Sequence, residues 1–222
     1  MRSIATVCLA GVLAGPLCAQ TVLFDFETDV DLQPWHYENQ PLGTAVKEIG
    51  RVERFATSGK ASLCFSSPRW GEGMPQWPAF ECQPPITDWS GFDRLVYDLT
   101  NATPHTQRVF LFISDSKIAT RDGLLTPAML QPSSHMRVVI PLETLKAKGV
   151  DLADIHVMHV FTESPPGDMA VYIDRMLLLK AGVEPGPVAP EYLKQFAAMV
   201  GDQLSPLRDQ VLSPTLAAAT VM

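Results

Sequence analysis

Apolar residues in this chain recur in short runs that are separated by turn-forming residues. Apolar and polar positions alternate along Arg94–Leu99, whereas Val109–Ile113 is apolar throughout. A mixture of the two patterns fits two packed sheets, each with one face in the core. The pattern predicts nine strands, at Val22–Phe26, Val46–Arg51, Ser62–Ser66, Ala79–Cys82, Arg94–Leu99, Val109–Ser114, Met136–Ile140, Ile155–Phe161 and Ala170–Lys180.

Turn chemistry fills the gaps between these runs, as in Asn101–Pro104 and Ser164–Gly167. Helical periodicity is sparse before residue 183, apart from a turn or two at Leu142–Lys148 that Gly149 ends. The number and spacing of the runs predict an all-β fold, an antiparallel β-sandwich or jelly roll.

The composition changes after Leu179, where a Pro- and Gly-rich stretch at 181–190 has the character of a semi-rigid linker. Pro190 suits the first turn of a helix. Apolar residues then follow at near-helical spacing, at Tyr192, Leu193, Phe196, Val200 and Leu204. This segment is either a linker that leads to a further domain, such as a catalytic one, or a short helix that docks back on the sandwich.

The first nineteen residues have the layout of a secretory signal peptide, with Arg2, an apolar run at Ile4–Leu13 and a small residue at Ala19. The apolar run is too short to span a bilayer. We therefore expect a secreted or periplasmic protein without a membrane span. Its expected parts are a signal peptide at 1–19, a β-sandwich domain at 20–182, and a linker with a helical tail at 183–222.

The formal net charge of −7, with lysines and arginines scattered along the chain, argues against nucleic acids or anionic membranes as partners. An acidic exported protein is compatible with a neutral polysaccharide or a cation such as calcium. Cys64 and Cys82, the two cysteines beyond the signal peptide, lie in consecutive predicted strands. They either form a disulfide or serve as two small buried apolar side chains.

Four local patterns occur in a characteristic order. They are Phe24–Glu27 followed by Trp35, then Ala56–Leu63, then Trp77–Phe80 followed by Asp88–Leu95, and finally Val171–Asp174. This series resembles the galactose-binding-like β-sandwich modules of glycoside hydrolases, which include carbohydrate-binding modules and the N-terminal domains of agarase-like enzymes. The resemblance covers about residues 22–180 and implies polysaccharide or oligosaccharide binding.

The resemblance also implies a structural calcium ion. The acidic positions that match its ligands are Glu27 and Asp174, and Asp25 is a third ligand if the first strand stays regular. Calcium prefers six to eight oxygen ligands, and the Ser58–Lys60 turn could add main-chain carbonyls. The alternative is that Glu27 and Asp174 are solvated or form ion pairs with Arg51 or Arg175.

Sugar binding needs flat apolar rings and a few polar groups that fix orientation. The Gly- and Pro-rich loop 67–78 offers Trp70 first and Trp77 second, although Trp77 could instead pack against an edge of the sandwich. We expect Trp35 and Trp89 to be structural. The candidate polar contacts are Arg69, Asp115 and Arg121, and for the last two ordinary surface charge is the favoured alternative.

The sequence contains no close carboxylate pair, nucleophile elbow or phosphate-binding loop. His156 and His159 lie three residues apart, on opposite faces of a strand, which argues against a shared metal. The leading hypothesis is a non-catalytic carbohydrate-binding module that is accessory to polysaccharide degradation. The alternatives are a small β-sandwich glycoside hydrolase or polysaccharide lyase, and a structural accessory domain that binds no sugar.

Overall fold

The computed structural model describes the backbone over residues 19–38, 49–117 and 123–212, and side chains over 19–36, 49–117 and 123–203. The predicted signal peptide and Arg121 lie outside these ranges, except for Ala19. The described strands are β1 (Gln20–Phe24), β2 (Trp35–Glu38), β3 (Ile49–Val52), β4 (Ser62–Ser67), β5 (Ala79–Cys82), β6 (Arg94–Asn101), β7 (Gln107–Asp115), β8 (Leu124–Leu130), β9 (Ser134–Pro141), β10 (Ile155–Thr162) and β11 (Met169–Leu179). The helices are α1 (Leu142–Ala147) and α2 (Pro190–Leu212), with a 3₁₀ turn at Asp29–Leu32. None of the described helices is long and apolar enough to cross a membrane.

The strands form two antiparallel sheets. The first sheet has the order β3-β4-β11-β6-β9, and the second has the order β2-β5-β10-β7-β8. Strand β11 is long enough to pair with β4 through Met169–Ile173 and with β1 through Met176–Leu179. The predicted antiparallel β-sandwich is confirmed.

The core lies between the two sheets, where alternate residues of each strand point inward. Leu63 and Val171 of the first sheet and Leu111 and Ile113 of the second are buried there. The same cluster contains Trp35 and Trp89, so both tryptophans are structural, as expected. A large apolar core is the main source of stability for a domain of this size.

Each of the nine predicted strands overlaps an observed one, although residues 46–48 of the second predicted run lie outside the described residues. The sequence analysis missed β2 and β8, which are the two edge strands of the second sheet. Strand β8 contains Pro127, which lacks the N–H that a central strand needs but is tolerated at an edge.

The two cysteines belong to different sheets, Cys64 to β4 and Cys82 to β5, and no disulfide joins them. Alternation along β4 puts Leu63 and Phe65 in the core, so Cys64 faces away from it and packs with the cluster beneath α2. Cys82 points into the core. Of the two alternatives that the sequence leaves open, two small apolar side chains is the one that describes both residues.

Helix α2 packs against the outer face of the first sheet. Tyr192, Phe196 and Met199 contact Phe55 and Tyr172 in a small apolar cluster. The linker before the helix is held as well, because the Arg175 guanidinium donates to the carbonyls of Gly186 and Pro187, at 2.6 and 2.9 Å. Helix α2 therefore docks back on the sandwich, where it covers part of the outer face of the first sheet.

Candidate functional site

The outer face of the second sheet carries two neighbouring rows of side chains. Glu81 of β5 pairs in register with His36 on one side and with His159 on the other. We call these three residues the His–Glu row. Phe161 lies two residues after His159 on β10, and it pairs with Phe110 of β7. Same-face residues two positions apart are about 7 Å apart along a strand, so the two rows are direct neighbours.

Trp77 joins the second of these rows. Its ring centroid lies 5.9 Å from that of Phe161 and 6.4 Å from that of Phe110, both in edge-on geometry. The two phenylalanine rings stack on each other at 4.9 Å. We call these three residues the aromatic row. Trp77 remains 46% exposed, so it presents a flat apolar surface whose orientation is fixed by two ring contacts.

The loop that carries both exposed tryptophans is tethered to residues 163–168. The Trp70 N–H donates to the carbonyl of Pro165 at 2.9 Å, and the Gln76 carbonyl accepts from the N–H of Ser164 at 2.8 Å. The main-chain N–H of Arg69 donates to Asp168 Oδ1 at 2.9 Å. Trp70 is 45% exposed. The structure therefore holds Trp70 and Arg69 at the surface, on a loop that is fixed along its length.

In the His–Glu row, one carboxylate joins two imidazoles. His36 Nε2 lies 2.8 Å from Glu81 Oε1, and His159 Nε2 lies 2.6 Å from Oε2. His159 is buried against Phe112, with ring centroids 5.5 Å apart. Sequence analysis did not select Glu81 or His159, although strand alternation puts both on the outer face. The missing information was which strands are neighbours.

Asp115 does not lie with the tryptophans. It is buried at the far end of β7, five residues from Phe110 and therefore about 17 Å along the strand. Its carboxylate accepts from the N–H groups of Lys117 and Asp151, at 2.8 and 2.6 Å. These bonds close a turn and anchor a distant loop, and the role of Asp115 as a sugar contact stays a prediction.

Glu27 and Asp174 meet at one turn, residues 57–61, which we call the carboxylate turn. Glu27 Oε1 accepts from the N–H groups of Lys60 and Ala61, at 2.8 and 3.0 Å. Asp174 Oδ2 accepts from Thr57 Oγ1 at 3.0 Å and from the N–H of Ser58 at 2.9 Å. Both carboxylates therefore contact the same turn through its N–H groups and the Thr57 hydroxyl, and the calcium ion expected there stays a prediction.

The charge at the carboxylate turn is suited to a cation. Asp174 is only 1% exposed, and burial raises its pKa to about 7, opposed by hydrogen bonds from Ser58 and Thr57. Among the described residues, neither carboxylate has an ion-pair partner within 4.0 Å. The expected partner Arg51 donates instead to the carbonyls of Phe26 and Glu27. A buried charged carboxylate is normally paired or bound to a metal ion, which applies to Asp174, whereas Glu27 is partly exposed. Carboxylate oxygens are the ligands that calcium prefers, so the two residues fit it in charge and ligand type.

Asp25 does not join this pair. Strand β1 ends at Phe24, and Phe26 has a φ of 56°, so the backbone loses its alternation at this point. Asp25 accepts from the N–H of Glu27 and forms a hydrogen bond with Asp31, whose pKa is raised by burial and by Asp25. Within the described ranges, no three His, Cys, Asp or Glu side chains form a group suited to a metal ion.

The outer face of the second sheet lacks a facing carboxylate pair among the described residues. Glu81 pairs with His159 of β10, and Glu163 lies four residues after His159. Four residues of extended chain span about 13 Å. Glu163 lies 3.4 Å from Arg108. Glycoside hydrolases place their two carboxyl groups at most about 9.5 Å apart, so these two residues do not form such a pair.

Carbohydrate-binding modules of known structure share this two-sheet β-sandwich fold. The solution structure of CtCBM11 superposes with a TM-score of 0.55 and 17% identity, over 79% of this chain and 100% of that one. A family 11 carbohydrate-binding module from Clostridium thermocellum, in complex with a β-1,3-1,4-mixed-linked tetrasaccharide, gives 0.51 and 15%, over 73% and 96%.

Catalytic proteins also contain this fold as one part. An exo-β-agarase matches with a TM-score of 0.52 and 17% identity, over 78% of this chain but 26% of its own length. No family model matches the chain, and no curated protein matches it in sequence. At these identities the structural likeness establishes the fold.

Proposed function

We propose that this protein is a non-catalytic carbohydrate-binding module that binds a polysaccharide on the outer face of its second sheet. The observation that carries the proposal is the half-exposed ring of Trp77, which Phe110 and Phe161 hold in a fixed orientation. Sugar rings have an apolar face that packs on such aromatic surfaces, and a fixed ring loses little conformational entropy on binding. Trp70 and Arg69, on the same tethered loop as Trp77, are further candidates for contacts with the sugar.

The outer face of the first sheet is less suited to this role, because α2 and the linker pack against it. Fold likeness agrees with the proposal, since one neighbour is a carbohydrate-binding module in complex with a tetrasaccharide. We further propose that the protein is exported and that it is accessory to an enzyme that degrades polysaccharide. Export is supported by the signal-like residues 1–19.

Affinity electrophoresis through gels that contain different soluble polysaccharides tests the proposal. We expect the wild type to be retarded by at least one neutral polysaccharide. Trp77→Ala should weaken binding at least tenfold, which corresponds to about 1.4 kcal/mol, and Trp70→Ala should weaken it less. Leu193→Ala is the matched control, because Leu193 is an equally exposed apolar side chain on α2.

Three outcomes are informative. Retention of wild-type affinity by Trp77→Ala would show that the binding surface lies elsewhere. If the wild type binds no polysaccharide, the proposed function is wrong and a structural accessory role is favoured. Release of reducing sugar from the same polysaccharides would favour the glycoside hydrolase alternative, and release of unsaturated products would favour a lyase.

We also propose that Glu27 and Asp174 hold a structural calcium ion, as the sequence predicts. Binding requires an ionised Asp174, whose pKa is raised to about 7 by burial, so the titration belongs at about pH 8. Millimolar calcium should raise the thermal midpoint of the wild type relative to a chelator, and magnesium should raise it less because it demands stricter geometry. Asp174→Asn should remove the response. An unchanged wild-type midpoint in calcium would contradict the proposal.

A further inference from the structure

We propose that Glu81 orients the bound glycan, and that the ligand class is a neutral polysaccharide with free neighbouring hydroxyl groups. This inference rests on the proposed function and identifies a residue and a ligand class that Trp77 alone does not define. It starts from the His–Glu row, where a single carboxylate lies between two imidazoles beside the aromatic row.

The contacts of Glu81 leave it capable of binding a ligand. Each carboxylate oxygen faces one imidazole Nε2, at 2.8 Å for His36 and 2.6 Å for His159. A carboxylate oxygen can accept two hydrogen bonds. Each oxygen of Glu81 therefore keeps one acceptor position, and the two oxygens together match two adjacent hydroxyl groups. The side chain is about a quarter exposed, so solvent reaches it.

The position of Glu81 relative to the aromatic row suits a sugar ring. Glu81 lies two positions from Ala79 on β5, and Ala79 pairs in register with Phe161. The rows are therefore about 7 Å apart, which is comparable to the width of a pyranose ring. A sugar packed beside Trp77 and Phe161 can extend its hydroxyl edge toward Glu81. An aromatic ring with a nearby fixed acceptor provides both stacking and orientation.

Charge on the second sheet disfavours an anionic ligand. Its five strands contain one arginine, Arg108, and no lysine. The Arg108 guanidinium already faces Glu163 and lies 4.8 Å from the centroid of the Phe110 ring. A carboxylate accepts hydroxyl donors well but repels sulfate and carboxylate groups. The sheet therefore suits neutral sugars rather than uronic acid or sulfated chains.

The test compares two carboxylates near the same sheet. Binding of a neutral polysaccharide is measured by affinity electrophoresis for the wild type, Glu81→Gln and the matched control Glu163→Gln. We expect at least a tenfold loss for Glu81→Gln and less than a twofold change for Glu163→Gln. An O-methylated form of the same polysaccharide should bind at least tenfold more weakly than the parent, and a carboxylated polysaccharide should not bind.

A second variant keeps the test valid if Glu81→Gln unfolds the protein. His36 is exposed and on an edge strand, so His36→Ala should preserve the thermal midpoint while releasing one side of the Glu81 carboxylate. We expect a several-fold loss of affinity from it.

The inference is overturned if the wild type binds a neutral polysaccharide and folded Glu81→Gln binds it equally well. If Glu81→Gln does not fold, normal binding by His36→Ala overturns the inference instead. Preference for the carboxylated polysaccharide would overturn the ligand class. In these cases the proposed function survives. A wild type that binds no polysaccharide would refute both proposals.

Discussion

Gly59 occupies a position in which a side chain does not fit. Its φ is +66°, and a Cβ atom there would lie 2.3 Å from Glu27 Oε1. That oxygen accepts two main-chain hydrogen bonds from the carboxylate turn, so it cannot move away without losing them. The local backbone and the position of Glu27 therefore depend on each other.

Gly59→Ala should destabilise the protein by about 2–3 kcal/mol, because it combines a strained backbone with the loss of hydrogen bonds to a charged group. Gly91→Ala is the matched control, since a Cβ atom at that position would have no neighbour within 4 Å and the φ of Gly91 is not in the left-handed region. Urea denaturation measures both. A loss of less than about 0.5 kcal/mol for Gly59→Ala would show that the carboxylate turn is free to rearrange.

Single residues were predictable where the local sequence determines them. Ser58-Gly59 before β4 is a turn pair in which glycine commonly adopts a positive φ, and the φ of Gly59 is +66°. Asp115 was not predictable, because one of its partners is the N–H of Asp151, 36 residues away. The His–Glu row was missed for the same reason: it depends on which strands pair.

Among the elements, helix α2 contacts the first sheet through both apolar and polar side-chain groups. Tyr192 is buried, and its hydroxyl lies 3.0 Å from Thr100 Oγ1. Burial also raises the pKa of Tyr192 to about 12. Near-helical spacing predicted this helix, but periodicity alone could not decide whether its apolar side faces this sandwich or another domain.

Tyr192→Phe should cost about 1–2 kcal/mol, because it leaves the buried Thr100 hydroxyl without its partner. Leu193→Ala, on the exposed side of the same helix, should change stability by less than about 0.5 kcal/mol. Chemical denaturation compares the two variants. Equal effects would indicate that the helix does not dock as described.

The strands show where pattern reasoning succeeds and where it fails. Central strands such as β7 and β11 have long apolar runs because both of their faces are largely covered, and both were predicted. Strand β8 was missed because Pro127 interrupts the pattern. Strand β2 was also missed; it alternates apolar and polar residues over only four positions, directly after Pro34. Both are edge strands, where fewer hydrogen bonds constrain the sequence.

Across the whole molecule, the two sheets differ in what covers their outer faces. The first sheet carries α2, the linker and a partly buried ion pair in which Arg137 contacts both oxygens of Asp98, at 2.8 and 2.9 Å. The second sheet presents the aromatic row and the His–Glu row. This difference is the basis for assigning ligand binding to the second sheet.

The most direct test of that assignment is chemical-shift mapping of the isotopically labelled protein during titration with a neutral oligosaccharide that the affinity gels identify. The account predicts that the largest shifts occur at the Trp77 indole N–H and at the amides around Glu81, His159 and Phe161, with α2 unchanged. Shifts concentrated on α2 and the outer face of the first sheet would contradict it.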